Sequence, residues 1–234
     1  MNFYLWFRAG WVLSLLFIAV SLSFYGAKEV RGDVGEVGFL TFIGAVWMFF
    51  ANTCMAWLGI NWQDDVLERK NPAALATLTG GSAAVAIMYA GGNLGEGPSY
   101  WENIFSAALA TGSWFGLWLI LELGGRICFS IAEERDFASG LRFGGWLLAC
   151  GLILGRAVAG DWHSITATLS DFGHDGWMAA VLLLVALLME PLLRPSRQRP
   201  FPRWVSCGLA PALFHLAIAG IWLWHLGRWE GMPI

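Results

Sequence analysis

The chain has 234 residues, of which 57% are hydrophobic, 13% are charged and 15 are tryptophan, with a net charge of -3. Soluble domains carry roughly 25% charged residues, and no soluble core of this length needs so much apolar surface, so the excess must face something other than water. There is no basic patch or acidic tail, so nothing marks a nucleic-acid partner.

A bilayer core takes about 20 apolar residues per helix. Seven runs approach that length, at 9–26, 38–60, 73–92, 103–125, 140–160, 176–193 and 204–226. The first has no small-x-small cleavage motif and six more follow it, so it reads as a retained span and not a signal peptide. Between the runs lie polar breaks at 28–36, 61–72, 93–102, 126–139, 161–175 and 194–203, which read as exposed turns. Only helices satisfy their own backbone polar groups inside lipid. The expected fold is therefore all-α, a polytopic transmembrane helical bundle forming a single membrane domain.

Within the spans, Asn52 and Thr53 sit midway along the second, where buried amides join helices by hydrogen bonds. Pro191 follows Glu190 and is expected to loosen the end of the sixth span. Trp62, Trp101, Trp162, Trp177, Trp204 and Trp229 fall near span ends, where amphipathic rings suit the headgroup zone. Trp47, Trp114, Trp118, Trp146 and Trp222 fall deeper. Cys54, Cys128, Cys150 and Cys207 have no C-x-x-C spacing and read as small hydrophobes.

Counting cations on alternate sides gives an orientation. Arg8, Arg69, Lys70, Arg126, Arg135, Arg142, Arg194, Arg197, Arg199 and Arg203 fall on one side, and only Lys28, Arg31, Arg156 and Arg228 on the other. The positive-inside rule makes the first side cytoplasmic. The N terminus is then cytoplasmic and the C terminus periplasmic, in a bacterial inner membrane.

The stretch 71–92 recurs faintly 64 residues downstream at 135–156. Ala74, Gly80, Gly81 and Gly91 fall opposite Ala138, Gly144, Gly145 and Gly155, Ala76 opposite Gly140, and Asn71 opposite Arg135. Both stretches enter from the cytoplasmic side, so the duplication is parallel, with units 38–92 and 103–160. Gly140 and Gly144, and Gly151 and Gly155, stand one turn apart on one face, as do Ala76, Gly80 and Ala84. Such rows let helix backbones approach closely in lipid, which marks the third and fifth spans as the centre of the bundle.

The segment from Glu68 to Gly81, with Asn71, Ala73, Ala74 and Gly81, resembles the YjfL-like family of bacterial inner-membrane proteins. That family has tandem paired-helix units, each with an asparagine-alanine-alanine element opening a glycine-bearing span. The resemblance covers roughly residues 38–180; the second copy departs from it in carrying Arg135 for the asparagine. It implies a fold but no catalytic residues, because the family's own function is unknown.

Charges inside a membrane are costly and are default functional candidates. Glu122 and Arg126 are spaced to pair along one helix face. Glu190 is within reach of Arg126 or Arg142, and Arg156 of Asp161, Glu96 or Glu102. Structural ion pairing accounts for all of these; the alternative is a gate or ion path lined by Glu122 and Glu190. His163, His174 and His225, with Asp161, Asp171, Asp175 and Glu230, supply borderline metal ligands on the outer side, but at no recognised spacing. His215 has no mid-span histidine partner on another helix, which argues against bis-histidine haem. No cofactor is expected.

The reading is a small transport or channel-like module, not an enzyme. The alternatives are a non-catalytic scaffold or interaction subunit of a membrane complex and, last, a metal or redox role for the outer histidines. Its expected partners are the lipid bilayer and either a second copy of itself or the subunits of a membrane complex.

Overall fold

The computed structural model describes residues 3–196, 202–228 and 232. They form helices α1 (Phe3–Tyr25), α2 (Val34–Trp57), α3 (Pro72–Gly91), α4 (Tyr100–Gly125), α5 (Ile127–Ala132), α6 (Phe137–Ala157), α7 (Ile165–Gly176), α8 (Met178–Leu193) and α9 (Ala210–Leu226). Two π-helical turns, Trp62–Glu68 and Val205–Leu209, precede α3 and α9. The all-α bundle expected from hydropathy is what forms. Six helices are long and apolar enough to cross a membrane; α7 and α8, bent by 41° to one another, make a seventh if taken as one broken span. Pro191 does not end α8, which continues to Leu193.

Three of the expected loops are partly helical. The break at 161–175 contains most of α7, whose start is set by the Ser164 hydroxyl accepting from Ala167 N–H. The break at 126–139 contains α5, and the break at 61–72 contains the first π turn.

α3 and α6 form the centre, with 72% of each membrane-length window buried against 22–39% for the other single-helix spans. They run parallel, since Gly140 lies against Ala73, Gly144 against Ala76, Gly151 against Ala84 and Gly155 against Ile87, in the same order along both helices. A Cβ on Gly80 would strike the Gly144 carbonyl, and one on Gly91 the Gly155 carbonyl. Lipid offers no hydrophobic drive between helices, so this backbone contact supplies the association through dispersion and close fit. Around the pair stand α1 and α2 on the α3 side, α8 and α9 on the α6 side, and α4 against both.

The central helices start alike. Asn71 caps α3 by accepting from Ala73 and Ala74 N–H, and Asp136 caps α6 by accepting from Ser139 N–H. Before each cap stands a cation in the left-handed region, Lys70 at φ 50° and Arg135 at φ 54°. Each cap's own N–H returns to a carbonyl six residues back, Asn71 to Asp65 and Asp136 to Ser130. Asn71 and Asp136 thus hold the same cap position at the starts of the two central helices. A carboxylate serves the cap as well as an amide does, while Arg135 reaches across to the Arg69 carbonyl at 2.6 Å.

Large apolar side chains cover the outside of the bundle. Leu13, Phe24, Phe42, Leu123, Leu188 and Trp224 are all more than half exposed. Exposure of this extent has no place in water and fits a multi-pass protein whose solvent is the bilayer. Trp114, Trp118 and Trp146 are fully buried, as expected of the deeper tryptophans, and form one aromatic cluster with Phe143 between α4 and α6.

Candidate functional site

Arg142, Ala149 and Arg156 recur every seven residues along α6, so they share one face. That face turns toward α7, α8 and α9, opposite the glycine row, and it carries two ion pairs largely withdrawn from solvent.

At one end, Arg142 (3% exposed) grips Glu190 of α8 (2% exposed). The Arg142 Nη2 donates to Glu190 Oε2 at 2.8 Å and Oε1 at 3.0 Å, and its Nε to Oε2 at 3.1 Å. A planar guanidinium matched two-pronged to a carboxylate is the strongest pairing available to side chains. The remaining Arg142 donors go to the Cys207 carbonyl and to Ser139 Oγ, whose hydroxyl in turn donates to Asp136 at 2.6 Å. The π turn Val205–Leu209 contains Cys207, so the widened turn presents its carbonyl toward Arg142. Of the two expected partners for Glu190, Arg142 is the one it meets.

The middle of the face is occupied by His215 of α9. Gly208 lies against Ala138 and Gly145 against Ala212, so α9 runs parallel to α6. His215, one turn beyond Ala212, then stands level with Ala149. The imidazole is 1% exposed, and neither ring nitrogen makes a well-formed hydrogen bond among the described residues, although the Pro211 carbonyl one turn back is within its reach. A neutral imidazole carries one donor and one acceptor, so it can take a proton at one nitrogen and release one from the other.

At the far end, Arg156 Nη1 meets Asp175 Oδ2 of α7 at 3.2 Å. The Asp175 backbone carbonyl accepts from Trp222 Nε1 at 2.7 Å, tying the end of α7 to α9, and its Oδ1 lies 2.9 Å from His174 Nδ1. Asp161, Glu96 and Glu102 are not the partners of Arg156. Asp161 instead accepts from Glu96 N–H at 2.8 Å, and Glu102 is bound to Ser99. From Arg142 to Arg156 is 14 residues, which spans about 21 Å of helix.

The remaining expected residues lie elsewhere. Glu122 and Arg126 do not pair: the helix ends at Gly125, Arg126 turns left-handed at φ 53°, and Glu122 accepts from Cys128 N–H at 2.8 Å. Asn52 lies five residues from the end of α2 and not midway along its span, and it donates to Met48 of its own helix at 2.9 Å and joins no neighbour. His163 and His225 are not brought to His174, which is engaged with Asp175, while His225 lies over the Trp222 ring. No group of three His, Cys, Asp or Glu side chains able to hold a metal occurs among the described residues. Glu230, Trp229, Arg197 and Arg199 lie outside the described residues. All four cysteines are free. Burial pushes the Cys128 thiol above its ordinary range, which keeps it from acting as a thiolate.

Sequence reasoning placed Arg142 only as one of two partners in reach of Glu190, Asp175 only among outer-side metal ligands, and His215 only as an unpartnered haem ligand, and did not join the three. The signal for Arg142 was its place two turns before Ala149 and four before Arg156 on one face of a span. Comparison with family models, with curated proteins and with solved structures finds no match to this chain.

Proposed function

We propose that this protein is a small membrane transport module whose cargo is the proton, relayed along the seam of α6, α8 and α9. The observation that carries this reading is the file of three stations on one face of α6. Glu190 with Arg142 stands at one end, His215 midway and Asp175 with Arg156 at the other. Neighbouring stations are about 10 Å apart along the helix axis, so water or side-chain motion must complete the relay. Glutamate, histidine and aspartate are the side chains that relay protons in membrane pumps and transporters. In this reading the Arg142–Glu190 pair is the gate, because Glu190 takes up a proton only when the guanidinium releases it.

The module is built, in our reading, from a parallel duplication with units 38–92 and 103–160. Residues related by a two-fold axis touch each other only at that axis. Gly80 and Gly144 meet there, as do Gly91 and Gly155. The side-chain contacts Glu36–Tyr100 and Arg69–Glu133, beyond the two ends of the α3–α6 pair, also join residues 64 apart. The matched caps and left-handed turns support the same reading, and with it the resemblance to the YjfL-like family. The arginine-rich end would be cytoplasmic, in a bacterial inner membrane.

One observation favours the second reading, a scaffold or interaction subunit: backbone contact closes the seam between α3 and α6 along its length, leaving no route there. Sealed liposomes with an imposed pH gradient and an internal pH dye separate the two. Transport predicts faster dissipation with protein than without, lost in Glu190→Gln. Equal rates in protein-bearing and empty vesicles, together with co-purification of a larger membrane complex, would support the scaffold.

A further inference from the structure

We infer that the groove between α1 and α2, at the Arg8 end of the bundle, is a binding site for one anionic phospholipid of the adjoining leaflet. The groove is a cavity of about 380 Å³, lined chiefly by Phe7, Trp11, Leu15, Phe49, Asn52 and Trp62. The Phe7 and Trp62 rings stack at 5.3 Å with planes 3° apart and form a rigid apolar wall.

Two polar groups of lining residues have no partner among the described residues, the Trp11 indole N–H and the Asn52 side-chain carbonyl. Asn52 is 3% exposed, and its amide nitrogen is fixed on the Met48 carbonyl, so the oxygen cannot turn away without breaking that bond. Buried donors and acceptors in proteins are almost always paired, which makes an orphan of each kind beside one cavity a sign of an occupant. Arg8 stands at the mouth, exposed, with its guanidinium on the Tyr4 hydroxyl at 3.2 Å and no acidic partner among the described residues.

A glycerol-headed anionic phospholipid supplies what these groups lack. Its phosphate answers Arg8, an ester carbonyl answers the Trp11 N–H, a headgroup hydroxyl answers the Asn52 carbonyl, and an acyl chain fills the apolar wall. The depth also agrees. Arg8 is five residues into α1 and Asn52 five residues from the end of α2, about 8 Å from the helix ends, at the boundary between headgroups and acyl chains.

Native mass spectrometry of the intact chain, released from micelles doped equally with phosphatidylglycerol and phosphatidylcholine, tests this. One phosphatidylglycerol should be retained over phosphatidylcholine. Arg8→Gln should lower that retention about tenfold and Trp11→Phe about threefold, the loss of one charged and one neutral hydrogen bond. Arg126→Gln, which removes an exposed arginine at the same end of the bundle, should leave retention unchanged, and Arg8 is exposed enough that its replacement spares the fold. Equal retention of phosphatidylcholine, equal loss in Arg8→Gln and Arg126→Gln, no loss in Arg8→Gln, or a second copy of the chain in place of lipid would each overturn the assignment.

Discussion

α6 has two working faces that obey opposite rules. Toward α3 it presents Gly140, Gly144, Gly151 and Gly155, with backbone pressed on backbone. Toward α8 and α9 it presents Arg142 and Arg156, each holding a carboxylate from another helix, with His215 between them. The first face is stabilised by fit alone and has one arrangement. The second is held by charges that in lipid are stable only while paired, and a pairing can be exchanged for another. One helix thus joins a seam held by fit to a seam held by paired charge.

The contrast can be broken most severely on the glycine face. Gly144→Leu drives a side chain into the Ala76 carbonyl, which already lies 2.6 Å from the position of a Cβ. It should cost about 5 kcal/mol, the upper range of single substitutions, read as loss of the folded form in thermal scans. Arg142→Leu leaves Glu190 buried without its partner and should cost about 3 kcal/mol. The pair Arg142→Met with Glu190→Leu should recover to within about 1 kcal/mol of the parent, because no charge is then stranded. No second substitution should rescue Gly144→Leu so simply, and that asymmetry separates fit from pairing. Asn71→Ala removes the α3 cap and the Nδ2 bond to the Ile131 carbonyl at 2.7 Å, and should cost about 2 kcal/mol. Gly112→Ala, where a Cβ meets nothing within 4 Å, should change stability by less than about 0.5 kcal/mol.

Much of this architecture was legible in the sequence, because a bilayer demands long apolar runs and small residues mark close helix contact. The glycine rows at Gly80, Gly144 and Gly155 led directly to the α3–α6 pair. The polar contacts were less legible, for identifiable reasons. Glu122 and Arg126 looked paired only if the helix continued, and the Gly124-Gly125 doublet was the overlooked sign of its end. Read as a loop, 161–175 leaves Asp161, Glu96 or Glu102 as the partners in reach of Arg156; folded as α7, that segment brings Asp175 to it instead. Asp136 was not legible as a cap matching Asn71, since a cap is defined by backbone geometry and not by side-chain identity. His215 was visible as a mid-span histidine, but its burial depends on Ala212 lying against Gly145, a contact between segments far apart in sequence.

The proposed relay along the charged face is tested most directly at its middle station. Proton flux into sealed liposomes should be compared for the parent chain and for His215→Phe, with both proteins verified as folded by thermal scans. The account predicts that the parent dissipates a pH gradient faster than empty vesicles and that His215→Phe falls to the empty-vesicle rate while keeping its stability. A folded His215→Phe protein that carries protons as fast as the parent would contradict it.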